Sequence, residues 1–276
     1  MCLRHGSDRD HGRGRGTPVD RRRMLGLLAG TAAAPLLATG CDEQDGFPIR
    51  LVSDETVQRL GLETWERLRA ELPASGDRGL QRTLQQTGRR LLDAAGEDAA
   101  RWEMVVFAAP DANAFVLPGG KMGVFEGMFR VAATADQLAA VIGHEIGHHQ
   151  AEHAAERLSA AAAKNWGLRL VSAALQLGDV QYANEIAALL GLGAEFGLLL
   201  PYSRRQELEA DRLGLFTMAR AGYDPPAAVE LWRRMDQLAG GQRGPTFLST
   251  HPAPGERIEA REGVLPEVMG IARTAG

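Results

Sequence analysis

The sequence is poor in cysteine, with only Cys2 and Cys41 among its 276 residues. Residues 1–40 have the composition of a removable leader, so the exported chain would keep Cys41 alone. A disulfide within that chain is therefore excluded, and no thiol is left to bind a metal. A lone cysteine at the end of a leader is better explained by acylation than by redox chemistry.

Aromatic residues and excess positive charge are also lacking. Aromatics make up 5% of the chain, and the formal net charge is −4. Residues 41–276 carry 24 Lys and Arg against 32 Asp and Glu, a net charge of −8. A nucleic-acid surface needs clustered basic side chains, so the acidic balance argues against that partner. The same residues are numerous enough for one large domain with its own core.

No apolar run is long and continuous enough for a comfortable membrane span, which needs about 20 residues. Residues 24–40 are uncharged and mostly apolar, but they number 17 and include Pro35. Residues 186–202 are apolar but are interrupted by three glycines and Pro201. Core packing explains this second stretch, and a hydrophobic lid facing membrane or substrate is the alternative.

The first 40 residues are typical of an export signal. Residues 1–23 carry seven Arg against three Asp, and an apolar segment and small residues follow. Leu37-Ala38-Thr39-Gly40-Cys41 resembles a bacterial lipobox, in which lipidation of Cys41 would anchor the chain to a membrane. Arg21-Arg22-Arg23 also resembles a twin-arginine signal. The alternatives are an ordinary signal peptide with an incidental cysteine and an arginine-rich unstructured leader. We expect a signal peptide over 1–40, a tether over 41–50 and one domain over 51–276.

The strongest motif is His144-Glu145-Ile146-Gly147-His148, which fits the H-E-x-x-H pattern inside an alanine-rich helical stretch. Residues four apart lie on one face of a helix, so both imidazoles can reach one cation. The pattern is known for Zn²⁺, with the glutamate as general base. The sequence therefore predicts a zinc site with Glu145 beside it. A solvated helix with outward-facing His and Glu is the alternative.

A catalytic zinc takes three protein ligands, so a third must come from elsewhere in the chain. Glu207 and Asp211 lie about sixty residues downstream and are again four apart on one helical face. Glu207 can supply the carboxylate ligand, while Asp211 can accept the free N–H of a ligand imidazole. Glu209 would point away from that face.

Four motifs together resemble the zinc metallopeptidase family that contains HtpX and the CAAX prenyl endopeptidase. Besides H-E-I-G-H and S-R-R-Q-E-L-E-A-D, they are the N-A-F-V-L-P-G-G segment over 113–120 and S-T-H-P over 249–252 with Arg257. The resemblance implies a gluzincin fold, one Zn²⁺ and endopeptidase activity on protein or peptide substrates. Without long spans, the chain fits the soluble periplasmic lipoprotein branch, where the substrates would be misfolded envelope proteins.

The resemblance also carries roles to individual residues. It makes His144, His148 and Glu207 the metal ligands, Glu145 the catalytic base and Asp211 the partner of a ligand imidazole. His251 has two candidate roles, which are to stabilise the oxyanion or to latch the zinc by occupying its open position. The sequence leaves both open, as well as a purely structural role before Pro252.

His149 and His153 form a second pair four residues apart, which suggests a second metal site. One residue along a helix turns the face by about 100°, so this pair cannot share the first ion. We favour the simpler interpretation, a polar helix end with a structural histidine.

The predicted fold class is α+β and mostly helical, zincin-like, with a three- to four-stranded sheet on the H-E-x-x-H helix. Helices are expected over 54–72, 77–95 and 135 to about 163, and strands over 103–108, 113–117 and 121–125. Asn113, Ala114 and Phe115 are expected to form an edge strand that binds extended substrate by backbone pairing. The alternative places them inside the sheet.

Two rival functions remain. The first is a chaperone-like binding protein whose zinc site is latched and mostly inactive. The second is a structural zinc protein with four permanent protein ligands, in which Glu145 would have no purpose.

Overall fold

The computed structural model describes residues 50–163, 201–239, 245–252 and 255–275. The predicted fold class is confirmed, because these residues are mostly helical and include a small sheet. The helices are α1 (Asp54–Glu71), α2 (Arg78–Ala95), α3 (Glu126–Val131), α4 (Ala135–Gln150), α5 (Arg204–Arg220), α6 (Pro226–Ala239), α7 (Phe247–Thr250) and α8 (Gly255–Ala275). The strands are β1 (Glu103–Phe107), β2 (Ala114–Leu117) and β3 (Lys121–Phe125).

The two N-terminal helices begin where the sequence predicts. The Ser53 side chain accepts from the Thr56 N–H, and the Asp77 carboxylate accepts from two N–H groups of the first turn of α2. Such caps satisfy donors that have no partner inside a helix. Helix α2 is terminated by Gly96, the residue after its last turn, whose φ of 75° suits glycine.

The strands form one sheet in the order β1-β3-β2, with β1 parallel and β2 antiparallel to β3. Residues 118–120 make the turn between β2 and β3, as predicted. Gly119 and Gly120 have φ values of 85° and 69°, which glycine adopts at little cost.

One edge of the sheet is closed. The Gln81 side chain donates to the Met104 carbonyl and accepts from the Val106 N–H, both at 3.0 Å. Gln85 donates to the same Met104 carbonyl at 2.8 Å. The backbone of residues 73–75 pairs with the rest of this edge of β1. These groups take the place of a fourth strand.

Among the described residues, β2 forms the opposite edge of the sheet, and it contains Ala114 and Phe115 of the predicted substrate-binding set but not Asn113. The Phe125 N–H donates to the Asn113 carbonyl, so by alternation Phe115 bonds to Gly123 of β3, and the backbone groups of Ala114 and Val116 point away from the sheet. The Ala114 N–H is bound by the Asn113 side chain at 3.0 Å. In the described part of the chain, no backbone group pairs with Val116 on this outer side. The Phe115 ring packs beside the rings of Trp65 and Phe107.

Helix α4 lies at the centre of the core, and every residue from Gln137 to His148 is buried. It packs tightly against α5 because both helices present small residues at the contact. A Cβ on Gly147 would lie 2.7 Å from the Ala210 carbonyl oxygen, and one on Gly214 would lie 2.9 Å from the Gly143 carbonyl carbon. The two backbones therefore approach each other more closely than larger side chains would allow.

The prediction of one continuous helix from 135 to about 163 was wrong. Helix α4 ends at Gln150, Ala151 and Glu152 form a turn, and residues 153–163 are helical again. Glu152 has a φ of 54°, outside the helical range, and this residue redirects the chain. The break changes the direction in which His153 points.

Several predictions lie outside the described residues, including the signal peptide, the lipidation of Cys41 and nearly all of the apolar stretch over 186–202. Among the helices of the described ranges, none is long and apolar enough to cross a membrane.

Candidate metal centre and catalytic site

Helix α4 supplies the H-E-x-x-H residues to the interior of the protein. The helix starts at a Thr134 cap, whose hydroxyl accepts from the Gln137 N–H at 3.1 Å. Its side chains His144, Glu145 and His148 are 2%, 0% and 1% exposed. The alternative of a solvated helix face is therefore wrong.

Helix α5 brings Glu207 against the two imidazoles. It begins with a capping box between Ser203 and Gln206, which places Glu207 in the first turn. The His144 and His148 Nε2 atoms lie 3.0 Å apart, and they are 3.5 and 3.3 Å from the two Glu207 carboxylate oxygens. The close contact of α4 with α5 makes these distances possible.

His251 joins the same cluster from a third segment of the chain. Its Nδ1 lies 3.1 Å from His144 Nε2 and 3.0 Å from Glu207 Oε1. The ring stacks on Phe247 at 4.2 Å. Two backbone hydrogen bonds hold the α7 segment, from the Phe247 N–H to the Ala112 carbonyl and from the Tyr202 N–H to the Thr250 carbonyl. His251 is thus next to the metal ligands, and an isolated loop position is excluded.

The four donors fit a zinc ion. One ligand atom from each of His144, His148, Glu207 and His251 can be chosen so that all lie within 4.8 Å of one another. Zinc bonds of 2.0–2.1 Å in a tetrahedron separate ligand atoms by about 3.3 Å, close to the spacings observed here. Imidazole nitrogens with one carboxylate are also a common zinc ligand set.

Glu145 has no ordinary structural partner. Both carboxylate oxygens are buried, and neither accepts a hydrogen bond from the described residues. The nearest ionisable contact is His251 Nε2, 3.4 Å from Oε1. Burial of an unpaired carboxylate is costly, so a carboxylate retained here points to a chemical role.

Asp211 lies behind the cluster, where it contacts a ligand imidazole. Its Oδ1 is 2.8 Å from His144 Nδ1, the ring nitrogen that faces away from the other donors. Arg257 donates to both carboxylate oxygens of Asp211, at 2.9 and 2.8 Å, and also contacts Glu207. Arg261 donates to the same carboxylate. Both guanidinium groups flank the Trp232 ring, so the C-terminal helix α8 is tied to the site.

Charges within this cluster shift one another's pKa. Burial lowers the pKa of His144, but the carboxylates of Asp211 and Glu207 outweigh it and raise that pKa to about 9. Burial and the positive charge of His144 hold the pKa of His148 well below its usual range. Burial raises the pKa of Glu207, but the charges of His251 and Arg257 outweigh it and keep that pKa well below its usual value. The metal-free cluster therefore favours a charged His144 beside a neutral His148 and an ionised Glu207.

Some residues of the site were missed by sequence reasoning. Arg261 is one helical turn after Arg257, and this spacing could have indicated a second arginine on the same face. Tyr202 stacks on the His148 ring at 3.7 Å, and the Arg157 guanidinium lies over the Tyr202 ring, 3.5 Å from its centroid. No sequence pattern marked either of these residues.

The second histidine pair does not form a metal site. His149 packs against the Trp102 ring at 4.7 Å, whereas His153 is fully buried with Nδ1 2.8 Å from His148 Nδ1. Glu209 points away from the four donors, as predicted, but its Oε2 lies 3.3 Å from His153 Nε2. The chain therefore places an acidic group beside His153 that the sequence did not suggest.

Comparison with known proteins agrees with this geometry. The profile described as Peptidase family M48 matches residues 79–264. The mitochondrial metalloendopeptidase OMA1 of Schizosaccharomyces pombe is 42% identical over 183 residues, which cover 66% of this chain and 52% of the relative. The human metalloendopeptidase OMA1 is 33% identical over 187 residues, 65% of this chain and 35% of that protein. The β-barrel assembly-enhancing protease of Escherichia coli is 30% identical over 244 residues, 84% of this chain and 50% of the relative. The chain spans about half the length, or less, of these relatives.

Proposed function

This chain belongs to peptidase family M48, and from that premise we propose that it is a zinc-dependent endopeptidase. In this proposal His144, His148 and Glu207 hold the ion, and Glu145 is the general base. The buried Glu145 carboxylate accepts no hydrogen bond from the described residues and lies beside four metal-binding donors, and this observation supports the proposal most directly. A structural zinc protein would have no use for that carboxylate.

The residues of the chain suggest a mechanism. A zinc ion held by these ligands would polarise the scissile carbonyl and acidify a water molecule. The Glu145 carboxylate accepts the water proton during attack and then delivers it to the leaving amine. Asp211 holds the His144 ring in orientation from behind, and Arg257 fixes Asp211 in turn.

The decisive test compares Glu145→Gln with the unaltered chain on denatured casein. We expect cleavage to fall by about 10²- to 10⁴-fold, because the base is lost while the ligands remain. Bound zinc, measured by elemental analysis, should be unchanged. Glu63→Gln is the control, since the Glu63 side chain on α1 is more than half exposed and pairs with Arg59 at the surface. Cleavage that resists both a chelator and Glu145→Gln would contradict the proposal.

We assign His251 the role of a latch in the conformation described here. Its Nδ1 is placed among the donors, where it would fill the fourth position of a tetrahedral ion. If it is a latch, His251→Ala should raise casein cleavage. If it is instead the oxyanion donor, the same change should lower cleavage by about 10²- to 10³-fold. The direction of the change distinguishes the two roles.

Strand β2 is our candidate for the substrate-binding edge. Its outward backbone groups belong to Ala114 and Val116, so the pairing residues are shifted by one from the predicted Asn113–Phe115 set. An extended substrate would pair with these groups as an added strand. The test uses a series of peptide substrates, each methylated on one backbone nitrogen. KM should rise only when the methyl group is on every second residue, because only those N–H groups would pair with β2. An equal effect at every residue would argue against strand pairing.

We further propose that the protein is exported and anchored through a lipid on Cys41, on the periplasmic face of a bacterial membrane or at the cell surface. The leader composition and the lipobox-like sequence support this proposal. Labelled palmitate should be incorporated into the unaltered chain but not into Cys41→Ser. Among the relatives, the OMA1 proteins are named as mitochondrial, so location within this family varies.

The proposed substrates are misfolded or stalled envelope proteins, in a quality-control role. The relative named for β-barrel assembly supports this choice. An unfolded β-barrel protein should be cleaved faster than its folded form. The comparisons give no support to the chaperone alternative, and it has its own test. If cells that carry Glu145→Gln keep their envelope as intact as cells with the unaltered chain, the main role is binding and not proteolysis.

A further inference from the structure

Each of the two imidazoles of the H-E-x-x-H motif has a partner behind it, and the two partners differ in kind. Behind His144 is the Asp211 carboxylate, at 2.8 Å from Nδ1. Behind His148 is a third histidine, His153, whose Nδ1 lies 2.8 Å from His148 Nδ1. His153 has no role in the proposed mechanism, although its side chain is completely buried.

The break after α4 creates this contact. Residues five apart on a continuous helix point in directions about 140° apart, so His148 and His153 could not meet on one. The turn at Ala151 and Glu152 rotates the chain and brings the second ring against the first. A non-glycine residue with positive φ thus lies at the point where the chain turns the His153 side chain toward the site.

Two facing Nδ1 atoms can form a hydrogen bond only if one of them carries a proton. The His148 Nε2 faces the other donors, at 3.0 Å from His144 Nε2, so this nitrogen would bind the ion. A metal-bound imidazole keeps its proton on the other nitrogen, which makes His148 Nδ1 the donor. His153 Nδ1 must then accept, and the proton of His153 lies on Nε2.

The next contact agrees with that tautomer. His153 Nε2 lies 3.3 Å from Glu209 Oε2, so its N–H faces a carboxylate. Arg205 holds the same Glu209 oxygen at 2.8 Å. The chain of contacts runs from His148 through His153 to Glu209 and ends at the surface, where the Glu209 side chain is 44% exposed.

We propose that His153 is a positioning residue for the zinc site: it accepts the Nδ1 proton of His148 and so fixes the tautomer and ring angle of that ligand. The inference rests on the proposed function, because it requires His148 to bind a metal. His153 itself does not touch the ion or the substrate. Its role would be the same for His148 as that of Asp211 for His144.

The test measures zinc affinity of the full-length chain by competition with a chelator. His153→Leu keeps the volume but removes the acceptor, and it should weaken zinc binding by about 10- to 100-fold. His153→Asn places a carbonyl oxygen near the position of Nδ1 and should restore most of the affinity. His149→Leu is the matched control, because His149 packs on Trp102 instead of a ligand. Zinc affinity of folded His153→Leu equal to that of the unaltered chain would overturn the inference.

A second measurement does not depend on the variants folding. In the zinc-loaded chain with ¹⁵N-labelled histidine, NMR should show His153 neutral with its proton on Nε2, and His148 protonated on Nδ1. A His153 that is charged, or protonated on Nδ1, would overturn the inference while leaving the proposed activity intact. If the unaltered chain binds no zinc, both the inference and the proposed function fail. If the unaltered chain binds zinc but the Glu145→Gln variant keeps full activity, only the proposed catalytic role of Glu145 fails.

Discussion

At the scale of single residues, the site is a balance of buried charges. Glu207 and Asp211 contribute negative charge, and Arg257 and Arg261 contribute positive charge within hydrogen-bonding distance of them. Each charge would be costly to bury alone, so each depends on the others. The pKa of His144 reflects this balance, because two carboxylates raise it to about 9 against the effect of burial.

This pKa predicts how zinc binding depends on pH. His144 has a pKa of about 9 in the metal-free protein. At any pH below this value it carries a proton that the metal must displace. The pKa of His148 is well below its usual range, so that residue releases none. Zinc affinity should therefore fall by about tenfold for each unit that the pH drops between 8.5 and 6.5. Chelator competition at three pH values measures the slope, and a flat profile would contradict the prediction.

At the scale of elements, the contact of α4 with α5 decides whether the ligands meet. The small residues Gly143, Gly147, Ala210 and Gly214 lie at this contact and let the helix backbones touch. Gly147 stands inside the H-E-x-x-H motif, between two side chains of the site. Its role is to leave space, so that Glu207 on α5 comes within 3.5 Å of both imidazoles.

We expect Gly147→Ala to weaken both the fold and zinc binding. The new Cβ would lie 2.7 Å from the Ala210 carbonyl oxygen, so the helices must separate and carry Glu207 away. Overpacking of this kind costs about 1–3 kcal/mol in the free energy of unfolding, measurable with urea. Gly263→Ala is the control, because a Cβ there meets nothing within 4 Å. That control should keep or raise stability, by up to about 1 kcal/mol from helix propensity.

If Gly147→Ala unfolds at the same urea concentration as the unaltered chain and binds zinc as tightly, the close contact is not what positions Glu207.

At the scale of the whole molecule, segments far apart in the chain converge on one point. His144 and His251 are 107 residues apart in sequence, and Asp211 and Arg257 are 46 apart. The C-terminal helix α8 takes part through Arg257 and Arg261, which are 0% and 2% exposed. The stability of the domain and the geometry of the site are therefore coupled.

Arg257→Met should test this coupling. It leaves Asp211 and Glu207 without their shared cation in the interior, which costs about 3–5 kcal/mol in the free energy of unfolding. Arg233→Met is the matched control, because Arg233 also joins α6 to α8 through Glu262, but both of those side chains are more than 40% exposed. An exposed pair contributes at most about 1 kcal/mol. Equal losses of stability in urea for the two variants would contradict a buried coupling.

Features that depend on neighbouring residues in the chain can be predicted from the amino-acid order alone. The caps at Ser53, Asp77 and Ser203 and the Pro118–Gly120 turn fix where helices and strands begin and end. The H-E-x-x-H spacing places two imidazoles on one face of any helix, so the sequence alone identifies these candidate ligands.

How those elements meet depends on contacts in the folded protein. The turn at Glu152, the partner of His148, the position of His251 and the burial of Arg261 all follow from contacts between distant segments. Local propensity does not encode such contacts, because they depend on how closely α4 and α5 pack and on which side chains fill the space around them. The periodic pattern over 135–163 predicted one helix for this reason, and the chain forms two.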